Sequence, residues 1–199
     1  DEAAAFEAKV AADPMLADKV ADPFERGCYV DASVLLPWLA DGHPLQKAYV
    51  SILSAFDTGR VRVLSGYLNE VISHRQLAVA AFEQIAGTDT DRFARYASLF
   101  ELHNINVFLG GFAGALERGE AVEFGEYLAR VAPFDNESKL RAHLQLKGLV
   151  VEEHTLRDRG IAGEVKAALR ERGKQREDIV VWHDAAQLEV LWAIKEKDA

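Results

Sequence analysis

Three acidic residues of this chain stand where a carboxylate can do chemistry. Asp31 closes the apolar run Cys28-Tyr29-Val30, Glu70 follows Ser65-Gly66 early in a helical stretch, and Asp184 lies in Trp182-His183-Asp184-Ala185-Ala186. An isolated charge in an apolar setting is costly unless it is paired or binds a metal. In an open parallel α/β sheet, ligands collect at the carboxyl ends of the strands. Three carboxylates meeting there suit Mg²⁺ or Mn²⁺, hard cations that take oxygen ligands and keep waters for substrate phosphates. One or two such ions activate a water and stabilise the leaving oxygen of a phosphodiester. A structural alternative stands beside each assignment. Asp184 also fits as a helix-start acid favoured by the dipole, Glu70 as a solvated helix acid, and 32 acids in the chain leave room for chance placement.

These acids need elements to carry them. Residues 27–31 read as a short buried strand, and 32–57 as two helical pieces broken at Asp41-Gly42-His43-Pro44. Val61-Arg62-Val63-Leu64 is a second strand, entered through Thr58-Gly59. Ser65-Gly66 then opens a long helix with Leu68, Val71, Ile72, Leu77 and Ala81 near helical spacing, stopping around Ala86-Gly87. Thr88-Asp89-Thr90-Asp91 is an N-cap cluster for a helix with Phe93, Tyr96, Ala97 and Phe100 on one face. Helical character, interrupted by glycines, continues to about Arg130. After the break at 133–136, residues 137–146 form one more helix, and 149–153 read as a third strand. Helices over 160–172 and 179 to about 197 complete the chain. In the last, Asp184 shares a face with Leu188, Leu191 and Trp192, which predicts a buried carboxylate. Strands alternating with helices predict an α/β fold with a short parallel sheet.

Composition narrows the function classes. The chain has 199 residues, 49% hydrophobic, enough for one domain over 26–199 preceded by an acidic helical arm or linker over 1–25. Cys28 is the single cysteine, which excludes an intramolecular disulfide. The six histidines show no zinc-ligand spacing. The first 25 residues carry seven acids and two lysines, unlike a signal peptide, and no apolar run is long enough to cross a bilayer, so a cytoplasmic setting without a membrane partner is expected. The net charge of −9 argues against broad non-specific nucleic-acid binding. That charge is uneven. The window 157–176 holds seven basic residues against three acids, a net of +4 that leaves −13 for the rest. Arg157, Arg159, Arg170, Arg172, Lys174 and Arg176 are therefore candidate phosphate-backbone contacts, with a solvated helix face as the alternative. Gly110-Gly111-Phe112-Ala113-Gly114 is not GxGxxG, so close helix packing is expected there rather than nucleotide binding. The aromatic residues of 93–127 read as core.

The order of the three acids resembles the PIN domain family of metal-dependent nucleases. Val30-Asp31-Ala32-Ser33-Val34-Leu35-Leu36 looks like that family's first motif, Leu68-Asn69-Glu70-Val71 its second, and His183-Asp184-Ala185 its third. The resemblance covers about residues 27–199 and implies a three-layer α/β fold. It implies Asp31, Glu70 and Asp184 as catalytic ligands of Mg²⁺ or Mn²⁺, Ser33 as a hydrogen-bonding neighbour, and RNA or DNA as substrate, with endoribonuclease activity foremost. The chain departs from the family in two ways. The stretch of about 88–146 is longer than a compact PIN domain needs and reads as a helical insertion or lid. The family also places a further strand after the Asp-Ala helix, ending in Thr/Ser-x-Asp and supplying a fourth acid. Asp178 is the candidate substitute, with a helix-capping role as its alternative; Asp198 lies at the wrong end of the helix. Strand one, central in the family, then becomes an edge, and such an apolar edge invites pairing. Its expected cover is another domain of a longer parent chain, a second copy, or a rearranged segment. A second function is consistent with these departures: a catalytically inactive PIN-like scaffold or regulatory module of a larger protein.

Overall fold

Three parallel strands, β1 (Cys28–Val30), β2 (Val61–Leu64) and β3 (Val150–Glu152), pair in the order β1-β2-β3. The computed structural model describes residues 27–99, 102–120, 123–173 and 178–197. Cys28 pairs with Val61 and Val30 with Val63; on the other side of β2, Val63 pairs with Val151 and Leu64 with Glu152. Parallel strands need long crossovers. Helices α1 (Ala32–Leu39) and α2 (Gln46–Ser54) join β1 to β2. Among the described residues, the α-helices between β2 and β3 are α3 (Gly66–Ala86), α4 (Thr90–Ala97), α5 (Val107–Glu117), α6 (Phe124–Val131) and α7 (Glu137–Leu146). Helices α8 (Arg159–Glu171) and α9 (Asp178–Lys197) follow β3. The chain is thus α/β, mostly helical around a short parallel sheet. No helix among the described residues is long and apolar enough to cross a membrane.

Side chains alternate across a strand, and the two sheet faces differ. One face buries Val30, Val61 and Val63. The other carries a polar triad spanning all three strands. The Tyr29 hydroxyl donates to Glu152 Oε2 at 2.6 Å, and the Arg62 guanidinium donates to Oε1 at 2.5 Å. β1 is an edge, with no strand on its free side among the described residues.

Helices α4, α5, α6 and α7 each contribute buried residues to the core. Phe82 of α3 meets Phe93, Phe112 and Phe124 in one aromatic cluster, and Phe112 also contacts Tyr127. Phe93, Phe112 and Tyr127 are fully buried in the same hydrophobic core as the sheet. The glycines of α5 serve close packing: a Cβ on Gly114 would collide with the carbonyl oxygen of Gly42, and Gly42 itself has φ +90°. The arm of residues 1–25, together with Phe100, Lys174, Arg176 and Asp198, lies outside the described residues.

Two face assignments are corrected. Leu77 of α3 is 61% exposed; Ala78 and Phe82 take the core positions. In α9, Leu188, Leu191 and Trp192 face outward, while Val181, Ala185 and Ala186 are buried. Both faces of α9 carry apolar residues, so the buried one is set by approach: small alanines let the helix lie close. Asp184 is consequently half-buried rather than enclosed.

Candidate active site

Asp31, Glu70 and Asp184 line one cavity of about 300 Å³, together with Ser33, Tyr67 and Val180. They reach it from three separate segments: the end of β1, the second turn of α3 and the second turn of α9. The sheet explains the first two positions, since β1 and β2 run in parallel and deliver their carboxyl ends to the same side.

Asp31 has a structural role as well. It is the N-cap of α1, with Oδ1 accepting from the Val34 amide at 3.1 Å and from the Ser33 hydroxyl at 2.6 Å. Both hydrogen bonds fall on Oδ1, so capping uses one of the two carboxylate oxygens. Ser33 is thus a hydrogen-bonding neighbour of Asp31, as expected.

Tyr67 is the residue that sequence reasoning missed. It is 3% exposed, and its hydroxyl donates to Asp184 Oδ1 across 3.3 Å. Burial, and then the fields of Asp184, Asp31 and Glu70, push that hydroxyl far above its ordinary range. It therefore stays protonated, a fixed donor among acceptors. The available signal was its position: Tyr67 precedes Glu70 by three residues, which puts both on one side of the helix. His183 packs edge-on against Tyr67, ring centroids 5.4 Å apart. Burial lowers its basicity, against an opposing pull from Asp184.

Asp178 does not reach the cavity. It opens α9 with an exposed side chain that pairs with Lys166 of α8 at 2.5 Å, and that hydrogen bond and charge hold its carboxyl below the usual range. The basic window is also divided. Arg159 lies over the ring of Trp182 at 5.9 Å. The Arg157 amide donates to Glu189, as does that of Asp158. Arg170 and Arg172 are exposed at the far end of α8, about 16–20 Å along the axis from Arg159. Arg157 and Arg159 are therefore the pair anchored beside α9.

The donor set is all oxygen, from three carboxylates beside two hydroxyls, which fits a hard divalent cation. Among the described residues, no three His, Cys, Asp or Glu side chains are gathered closely enough to hold an ion by themselves. Comparison of the chain with protein-family models, with curated proteins and with solved structures gives no match in any of the three.

Proposed function

We propose that this chain is a PIN-like, Mg²⁺- or Mn²⁺-dependent nuclease that hydrolyses phosphodiester bonds of RNA or DNA. The observation that carries this reading is the convergence of Asp31, Glu70 and Asp184, distant in sequence, on one cavity at the carboxyl end of a parallel sheet. The divalent cation, when bound, supplies an activated water and charge stabilisation at the leaving oxygen. Asp31, Glu70 and Asp184 would hold it. Ser33 orients Asp31 through its 2.6 Å hydrogen bond, and Tyr67 orients Asp184. Arg157 and Arg159 offer positive charge to the nucleic-acid backbone from the side of α9, countering an acidic chain.

The experiment is cleavage of single-stranded RNA and DNA with Mn²⁺, with Asp31→Asn and Asp184→Asn as controls. A second reading, a PIN-like module without catalysis, is favoured by one observation: the net charge of −9, which opposes binding of a polyanion. Metal titration separates the two. A catalytic site shows a Mn²⁺-dependent rise in melting temperature that Asp31→Asn abolishes, and a scaffold shows none.

A further inference from the structure

Beside the acidic cavity lies a second one of about 200 Å³, and Tyr67 lines both. Its walls also come from the carboxyl end of the sheet. Leu64 ends β2, Leu156 belongs to the segment after β3, and Trp182, His183 and Ala186 come from the first turns of α9. Leu64, Leu156 and Ala186 are buried and give an apolar floor, while Tyr67, Trp182 and His183 supply rings. Gly66 admits the His183 ring: a Cβ there would stand 2.7 Å from the imidazole Cδ2. Nδ1 of His183 is buried without a hydrogen-bond partner.

His183 and Asp184 are consecutive, and each lines one of the two cavities. A polymer with a phosphate at Asp184 therefore has its adjoining group within reach of His183. The second cavity is smaller than a typical site for a drug-sized ligand. Its apolar floor, ring walls and few polar atoms are the features that receive one planar heterocycle. Arg159, 5.9 Å from the centre of the Trp182 ring, puts a positive charge beside one of the lining residues.

We propose that this cavity is a nucleobase subsite, taking the base next to the scissile phosphate of a single-stranded nucleic acid. The proposal rests on the nuclease reading for the position of the phosphate. It gives the site a preference for single strands, because a duplex presents a base to such a pocket only after unstacking it.

The test is equilibrium binding of a short fluorescent single-stranded RNA in Ca²⁺, chosen so that binding is read without cleavage, with one abasic residue moved along the strand. The expected result is a loss of about 5- to 150-fold at one position, the range of base–aromatic stacking, and smaller losses elsewhere. Trp182→Ala weakens binding of the intact strand and removes that positional dependence. Thr155→Phe, placed at an exposed rim position, does the same without touching the floor. A flat abasic scan, or a profile unchanged in both variants, overturns the subsite. If the flat scan accompanies Mn²⁺-dependent cleavage, the subsite alone falls; if neither RNA nor DNA is bound or cleaved, the nuclease reading falls with it.

Discussion

Tyr67 and Asp184 are 117 residues apart in sequence, and the hydroxyl of one donates to the carboxylate of the other at 3.3 Å. This bond is a direct polar link between the start of α3 and α9 within the acidic cavity. It is long for an O–H···O hydrogen bond, so it orients Asp184 more than it holds the fold together. Tyr67→Phe keeps the buried ring and deletes the donor. The expected stability loss is about 0.5–1.5 kcal/mol at most. Mn²⁺ affinity, measured calorimetrically, is expected to fall about 10- to 100-fold, as for other groups that orient a metal ligand. Unchanged affinity would remove Tyr67 from the site.

Stability is expected to fall on the acid side of neutrality. Burial depresses the basicity of His43, His74, His143 and His183 below their ordinary value of 6.5. A depressed histidine is neutral in the folded chain while the unfolded chain takes up the proton. The unfolded state thus binds more protons below about pH 6.5, and stability rises with pH through that region. Melting temperature should be highest above pH 7 and drop as the pH is lowered from there towards 5. His74→Leu should flatten the drop, since burial is the cause of its shift and its Nδ1 has no hydrogen-bond partner. An equally steep profile in the variant would assign the pH dependence to other groups.

Phe112 tests whether residues 90–146 are integral to the fold. It is fully buried, with the rings of Phe93 and Phe124 both at 5.1 Å. Phe112→Ala should cost about 3–5 kcal/mol in urea unfolding, because the cavity it leaves is walled by rigid rings. That is a large fraction of the stability of an ordinary domain. A loss confined to a separate, earlier transition would mean that these helices fold as an independent unit.

Glu189 clamps the segment carrying Arg157. Its carboxylate accepts from the amides of Arg157 and Asp158 at 3.1 and 2.9 Å and meets His154 Nε2 at 2.7 Å. Glu189→Leu should leave those amides exposed to exchange. Hydrogen–deuterium exchange over 154–158 is expected to speed up about 10-fold or more, since one lost hydrogen bond to a charged group is worth about 1.5–3 kcal/mol. Unchanged exchange would show that the segment is held by Leu156 in the core instead.

Most elements were legible because their signals are local. Thr58-Gly59 before β2, Ser65-Gly66 before α3 and the break at 133–136 each stop or start the backbone by chain chemistry alone. The places of Asp31 at the end of β1 and of Glu70 and Asp184 in the second turns of α3 and α9 follow from the same local signals. What was not legible depends on distant partners. The buried face of α9 follows from which side fits closely, not from which residues are largest, so Leu188, Leu191 and Trp192 misled where Ala185 and Ala186 informed. Asp178 reads as a candidate acid until Lys166 of the neighbouring helix claims it. Tyr67 could be placed on the Glu70 side of its helix, but its partner lies 117 residues away.

The most direct measurement compares the native chain with Asp31→Asn in cleavage of single-stranded RNA with Mn²⁺. Asparagine caps a helix as well as aspartate does, so the substitution keeps the acceptor for the Val34 amide and removes the charge. The account predicts Mn²⁺-dependent cleavage by the native chain, a loss of about 100-fold or more in the variant, and a melting temperature without metal that stays the same. Equal cleavage by the two proteins would contradict it.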